Sequence, residues 1–182
     1  MPLLCIGTTG MLAGAARQLA GSGGADIAVL ARRASAFRFG EAALDARLSA
    51  YDTDWSDAAG FVSALEQAGA AQGPFRAALV WMHGRDEALR AQIVHHMAEG
   101  GLLIEVLGSA ASRPGAFGEE RVRVMQGLPH IRYRQVLLGF VHHDGVSRWL
   151  THEEICAGVL QAAAGDDVVT VAGQVEPWKL RP

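Results

Sequence analysis

Leu3-Leu4-Cys5-Ile6-Gly7-Thr8-Thr9-Gly10-Met11-Leu12-Ala13 is the stretch that decides the fold. An apolar run breaks at Gly7 and gives way to helical spacing over Met11–Ala20. A strand that passes through a tight turn straight into a helix aims the first free N–H groups of that helix, and the positive end of its dipole, at one spot beyond the strand. A pyrophosphate reaches those groups only where side chains are absent or very small. Gly7, Gly10 and Ala13 satisfy this at the three positions of a G-x-x-G-x-x-G/A pattern. Glycine pairs are common in a chain with 22 glycines, so the weight rests on where the turn lies. A dinucleotide-binding turn of Gly7, Thr8, Thr9, Gly10, Met11 and Leu12 is expected, and a purely structural glycine turn is the competing reading.

Outward from this turn, short apolar runs alternate with longer amphipathic ones. Strands are predicted at Leu3–Gly7, Ile27–Ala31 and Arg47–Tyr51, separated by helix Met11–Ala20 and a weak helix near Ala34–Leu44, which makes a βαβαβ half. The second half repeats the pattern: helix Ala58–Ala68, strand Ala77–Met82, helix Glu87–Ala98, strands Leu102–Leu107 and Tyr133–Val141, helix His152–Ala163, strand Val168–Ala172. Thr151 followed by Glu154 is a capping box that fixes the start of the last helix. Between Ser109 and Tyr133 the periodicity fades, and the turns Arg113-Pro114-Gly115 and Gly127-Leu128-Pro129 bracket a short helix at Glu119–Met125. The expected fold is a single α/β domain over residues 1–182. It is a Rossmann-type doubly wound parallel sheet of six to seven strands with helices on both faces.

Composition narrows the partners. A net charge of -3 gives no electrostatic case for nucleic acid or an anionic membrane surface, and no apolar run approaches a membrane span. Cys5 and Cys156 each fall in an apolar segment and read as reduced core residues, which together with the lack of a signal-like start implies a cytoplasmic protein. The doublets His95-His96 and His142-His143 place neighbours on different faces of a helix or strand, so no metal site is expected.

The end of the second strand separates NAD from NADP. A carboxylate there bonds the free ribose 2′-hydroxyl, whereas arginine accommodates a 2′-phosphate. Here Ile27–Ala31 runs into Arg32-Arg33 with no acid at that place, which favours NADP(H) over NAD(H); solvation of a strand end is the plainer reading. Asp52, just past the third strand, is placed to meet the adenine side, while Asp54 and Asp57 read equally as helix caps.

The glycine turn, Ala31-Arg32-Arg33, Tyr51-Asp52, Val80-Trp81-Met82-His83-Gly84 and the strand leading into Gly108-Ser109 together resemble, in order and spacing, the short-chain dehydrogenase/reductase superfamily. The resemblance covers nearly the whole chain. It implies that Trp81-Met82-His83-Gly84 replaces the cofactor-supporting, asparagine-rich turn after the fourth strand, making Met82 and Gly84 candidate cofactor contacts. It also implies that Ser109 takes the place of the serine that polarises a substrate carbonyl. A tyrosine about thirteen residues past that serine and a lysine about four further on should follow. Counted from Ser109 these positions hold Val122 and Gln126, and from Ser112 they hold Met125 and Pro129. The single lysine is Lys179. The family's usual Tyr-x-x-x-Lys pair is therefore absent.

Two readings of different class remain. One is an NADP(H)-dependent oxidoreductase acting on a small carbonyl or alcohol with a non-standard proton-transfer site, for which Ser109, Tyr133 and His83 are the catalytic candidates. For Tyr133 a packed ring with a satisfied hydroxyl competes with that role. The other reading is a catalytically silent NADP(H)-binding sensor or partner-binding protein. The chain is also shorter than most of the resembled family, which implies a small substrate pocket or one completed by another subunit of a homodimer.

Overall fold

The computed structural model describes residues 2–21, 24–84, 86–112 and 117–182. The Arg113-Pro114-Gly115 turn expected from the sequence lies outside them. Strands β1 (Leu3–Ile6), β2 (Ile27–Ala31), β3 (Leu48–Asp52), β4 (Phe75–Val80), β5 (Met97–Leu107), β6 (Ile131–Leu138) and β9 (Val169–Ala172) form one seven-stranded parallel sheet in the order β3-β2-β1-β4-β5-β6-β9. Among the described residues six α-helices connect them: α1 (Ala13–Gly21), α2 (Ala42–Asp45), α3 (Ala58–Gln72), α4 (Glu87–His95), α5 (Phe117–Gln126) and α6 (His152–Ala164). This is the doubly wound Rossmann arrangement, in which the chain reverses direction across the sheet between β1 and β4.

The alternation of side chains along each strand explains why helices cover both faces. In β1, Leu3 and Cys5 point to one face and pack with Ala15, Ala16 and Ala20 of α1 and with Val159 and Ala162 of α6. Leu4 and Ile6 point to the other face, where α3 contributes Phe61, Leu65 and Ala68 and α4 contributes Leu89 and Ile93. Every residue of β1 and β2 is buried, as a central parallel strand requires. Where α1 and α6 meet, a Cβ on Gly14 would stand 3.2 Å from the Cys156 sulfur. Both cysteines are buried free thiols.

The element boundaries follow from local chemistry. Asp57 caps α3 by accepting from the Gly60 N–H at 3.1 Å, and Asp86 caps α4 by accepting from Leu89 at 3.0 Å. The capping box of α6 forms in both directions, the Thr151 hydroxyl accepting from Glu154 N–H and the Glu154 carboxylate from Thr151 N–H. Arg148 donates two 2.8 Å hydrogen bonds to the same carboxylate.

Three expected elements differ. The weak helix at Ala34–Leu44 is a 3-10 turn (Ala34–Ala36) followed by the single-turn α2, because Phe37-Arg38-Phe39-Gly40 interrupts the helical spacing and Gly40 adopts φ +78°. β5 starts at Met97 rather than Leu102, since Phe75 pairs with Met97 before the register shifts. The predicted strand Tyr133–Val141 is two strands that part at Gly139, where a Cβ would come 2.1 Å from the Gln174 carbonyl oxygen. Beyond it β7 (Phe140–His143) and β8 (Val146–Trp149) form an antiparallel hairpin turning at Asp144-Gly145, both with positive φ. No helix among the described residues is long and apolar enough to cross a membrane.

Candidate functional site

Open parallel sheets bind ligands beyond the carboxyl ends of their strands, at the point where strand order reverses. At that place a cleft of about 570 Å³ is lined from β1 by Gly7, Thr9, Gly10 and Met11, and from β2 by Ala31, Arg32 and Arg33. Trp55, Trp81 and His83 line the rest.

Gly7 cannot be replaced without moving the backbone. It adopts φ +68°, and a Cβ there would lie 2.2 Å from the Trp81 carbonyl oxygen. The turn is thereby pressed against the end of β4. Gly10 differs: a Cβ on it would meet no atom within 4 Å, so it fronts open space. Thr8 and Leu12 are fully buried and can offer a ligand only their backbone groups. Among the described residues, no backbone carbonyl takes up the N–H groups of Thr9, Gly10, Met11 or Leu12, whereas Ala13 N–H already bonds the Gly10 carbonyl. These are the unspent donors that a helix start presents to an anion.

Arg32 and Arg33 are exposed at the cleft wall. Asp52 does not line the cleft. Its carboxylate accepts from both the N–H and the hydroxyl of Ser35, at 2.7 and 2.6 Å, and these bonds hold it below the ordinary carboxylate range, the hydroxyl contributing most. It braces the turn that presents the two arginines. Asp54 accepts from Ser56 N–H at 3.0 Å, a local turn bond.

Past β4, His83 is exposed, with its ring 4.8 Å from Trp81 in an edge-on arrangement and 6.5 Å from Trp55. Trp55, in the turn after β3, is a site residue that the sequence reading missed. Its signal was a large aromatic just beyond a strand's carboxyl end. Met82 is 4 % exposed and packs into the core on the α3/α4 side, so its side chain is no cofactor contact. Its carbonyl and that of Gly84 lie within 3.4 and 3.2 Å of Arg90 Nη2. Ser109 opens the 3-10 turn Ser109–Ser112 after β5 and is half-buried.

Tyr133 overturns the expectation of a Ser109–Tyr133 pair. It lies in register with Leu103 near the start of β6, five residues before Leu138 and about 16 Å from the strand's carboxyl end at the rise of a strand. Its ring is buried and its hydroxyl donates to Glu105 at 2.8 Å. Burial and the neighbouring Glu105 carboxylate push the phenol well above its ordinary range, which opposes any role in proton exchange. Glu105 in turn accepts from Arg90 Nε at 2.6 Å and Arg121 Nη1 at 2.7 Å, while Gln135 ties Tyr133 to the Gly118 carbonyl. This buried network joins α4, β5, α5 and β6 and does not line the cleft.

Among the described residues no three His, Cys, Asp or Glu side chains converge to hold a metal ion. His142 contacts the Ser147 hydroxyl and His143 lies 3.2 Å from Asp144, both within the β7/β8 hairpin.

No known family model matches the chain, and no curated protein matches it. Solved structures do. A short-chain dehydrogenase/reductase from Serratia marcescens superposes with a TM-score of 0.67 at 20 % identity over 94 % of this chain and 96 % of its own. A blue fluorescent protein from a metagenomic library, in complex with NADPH, gives 0.67 at 19 % over the same shares. A short-chain dehydrogenase/reductase of the glucose/ribitol dehydrogenase group from Brucella melitensis gives 0.67 at 14 %, covering 93 % of each chain. The chain thus has the Rossmann fold of the short-chain dehydrogenase/reductases.

Proposed function

We propose that this protein is an atypical short-chain dehydrogenase/reductase that binds NADP(H) in the cleft at the β1/β4 switch point and acts on a small carbonyl or alcohol. The observation that carries the reading is the joint lining of one cleft by the glycine turn and by Arg32-Arg33. Gly7 lets the turn press against the end of β4 and Gly10 fronts open space in the cleft, so the residues present fit a dinucleotide. The N–H groups of Thr9 to Leu12 would hold the pyrophosphate, and Arg32 and Arg33 the 2′-phosphate. The solved neighbour with NADPH supports a nicotinamide dinucleotide as the ligand class.

Bound NADPH supplies a hydride to the carbonyl carbon, and a proton taken up at the oxygen completes the alcohol. His83 lines the cleft and is the group assigned to hand over that proton, and Ser109, at the end of β5, is the hydroxyl assigned to the carbonyl oxygen. Trp55 and Trp81 exclude water from one wall.

The test is a fluorescence titration with NADPH and NADH, repeated on Arg32→Ala/Arg33→Ala. Each charge-assisted contact to phosphate contributes about 1.5–3 kcal/mol, so the double variant should weaken NADPH binding by at least about a hundredfold and leave NADH nearly unchanged. Equal affinities for the two cofactors in the unaltered protein would remove the NADP preference. Binding of neither would remove the whole reading. If NADPH binds but no carbonyl compound is turned over, the silent-sensor form takes its place, which the missing Tyr-x-x-x-Lys pair favours.

A further inference from the structure

After β9 the chain crosses back over the carboxyl end of the sheet. Gln174 pairs with Phe140 of the hairpin, and a 3-10 turn at Trp178–Leu180 leads to Arg181. The Arg181 guanidinium lies over the Trp178 ring at 4.4 Å from its centroid and over Trp149 of β8 at 5.8 Å. Its Nη1 comes within 3.5 Å of the Ser109 hydroxyl oxygen.

We propose that Arg181, held by Trp149 and Trp178 beside Ser109, is a carboxylate-binding subsite, so that the substrate is a small oxo acid or the corresponding hydroxy acid. The inference rests on the dinucleotide reading for the location of the reacting carbonyl. Arg90, Arg121, Arg134 and Arg148 each pair with a carboxylate of this chain. Among the described residues Arg181, like Arg32, Arg33 and several surface arginines, pairs with none, and it is set apart by its seat on two indoles beside Ser109. Glu176, the acid nearest in sequence, turns its carboxylate to the Trp178 N–H at 3.0 Å instead. A guanidinium fixed by its face against indole rings keeps its N–H edge available, and that edge matches a carboxylate with two parallel hydrogen bonds.

Position supplies the second argument. Ser109 follows Gly108, where a Cβ would lie 3.8 Å from the Trp81 indole, and that same indole walls the cleft. Arg181 therefore stands at the β5 end, three strand spacings or about 14 Å across the sheet from β2, which carries Arg32 and Arg33. One cationic group would serve the cofactor phosphate and the other the acid group of the substrate. The exposed face of Trp149 adds an apolar flank that suits an aromatic or branched side chain on the acid.

Calorimetric titration with benzoate, and with benzamide as its uncharged counterpart, tests this on the unaltered protein, on Arg181→Gln and on Arg32→Gln/Arg33→Gln, with NADPH titrated into each. Benzoate should bind the unaltered protein at least about tenfold more tightly than benzamide. Arg181→Gln should lose that margin while keeping NADPH affinity, and the Arg32/Arg33 variant should do the reverse. The proposal is overturned if Arg181→Gln binds benzoate as tightly as the unaltered protein, or if benzoate fails to bind with and without NADPH. Benzoate binding that depends on Arg181 in a protein that takes up no NADPH would support the subsite and sink the cofactor reading.

Discussion

Replacing Glu105 by Gln keeps the volume of the side chain and removes its charge, which leaves buried Arg90 without a carboxylate and buried Arg121 with only the surface carboxylate of Glu87. The side chains of Arg90 and Glu105 are 3 % exposed and that of Arg121 is 1 % exposed, so water cannot take over the lost pairing. Breaking a buried ion pair by removing one partner costs about 3–5 kcal/mol. For a chain of this length each kcal/mol shifts the melting temperature by about 2–4 °C, so Glu105→Gln should lower Tm by about 12 °C. Tyr133→Phe removes one hydrogen bond to the same carboxylate and should cost about 1.5–3 kcal/mol. The two changes should couple in a double-mutant cycle, since both act on one carboxylate. Urea and thermal unfolding measure all three, and NADPH affinity of the surviving folded variants should stay near that of the unaltered protein. A Tm within about 2 °C of the unaltered value for Glu105→Gln would refute the structural role. A Tyr133→Phe variant of full stability that has lost reductase activity would restore the tyrosine to catalysis.

Gly7→Ala should destabilise the fold by more than about 2 kcal/mol in denaturant unfolding, since it combines a left-handed backbone with a Cβ 2.2 Å from a carbonyl oxygen. The Glu154 carboxyl is held down to about 2, chiefly by Arg148, against an ordinary 4.5. The unfolded chain binds that proton more readily, so the stabilisation is complete above about 4.5 and is lost as pH falls through about 2; the Tm gap between the unaltered protein and Glu154→Gln should close over that window. Burial pushes the Cys5 thiol up to about 12, so Cys5 should resist a thiol reagent in the native protein at pH 8 and react once the chain is unfolded in urea.

The succession of strands and helices was legible because central parallel strands are short apolar runs and their helices keep a 3.6-residue spacing, as at Ile27–Ala31 and His152–Ala164. The site's glycine turn and arginine pair were legible for the same reason: each sits just past such a run. Tyr133 misled because its residue type outweighed its place: as the first residue of the predicted strand it already stood at the amino end, away from the carboxyl ends where an open sheet binds ligands. Glu105 gave no signal at all, a lone acid in an apolar run whose partners Arg90 and Arg121 lie 15 and 16 residues away. The hairpin after Gly139 was hidden because the apolar run continues across the break, and only the approach of Gln174 forces it.

The proposed dinucleotide cleft is tested most directly at Gly10, the turn position where fold and function separate. A side chain there meets no neighbour within 4 Å, and Gly10 lines the cleft beside the unspent helix N–H groups. Gly10→Val should therefore melt within a few degrees of the unaltered protein while its NADPH affinity, measured by titration, falls at least about a hundredfold. Undiminished NADPH binding by a folded Gly10→Val would contradict the account, because the pyrophosphate would then lie elsewhere.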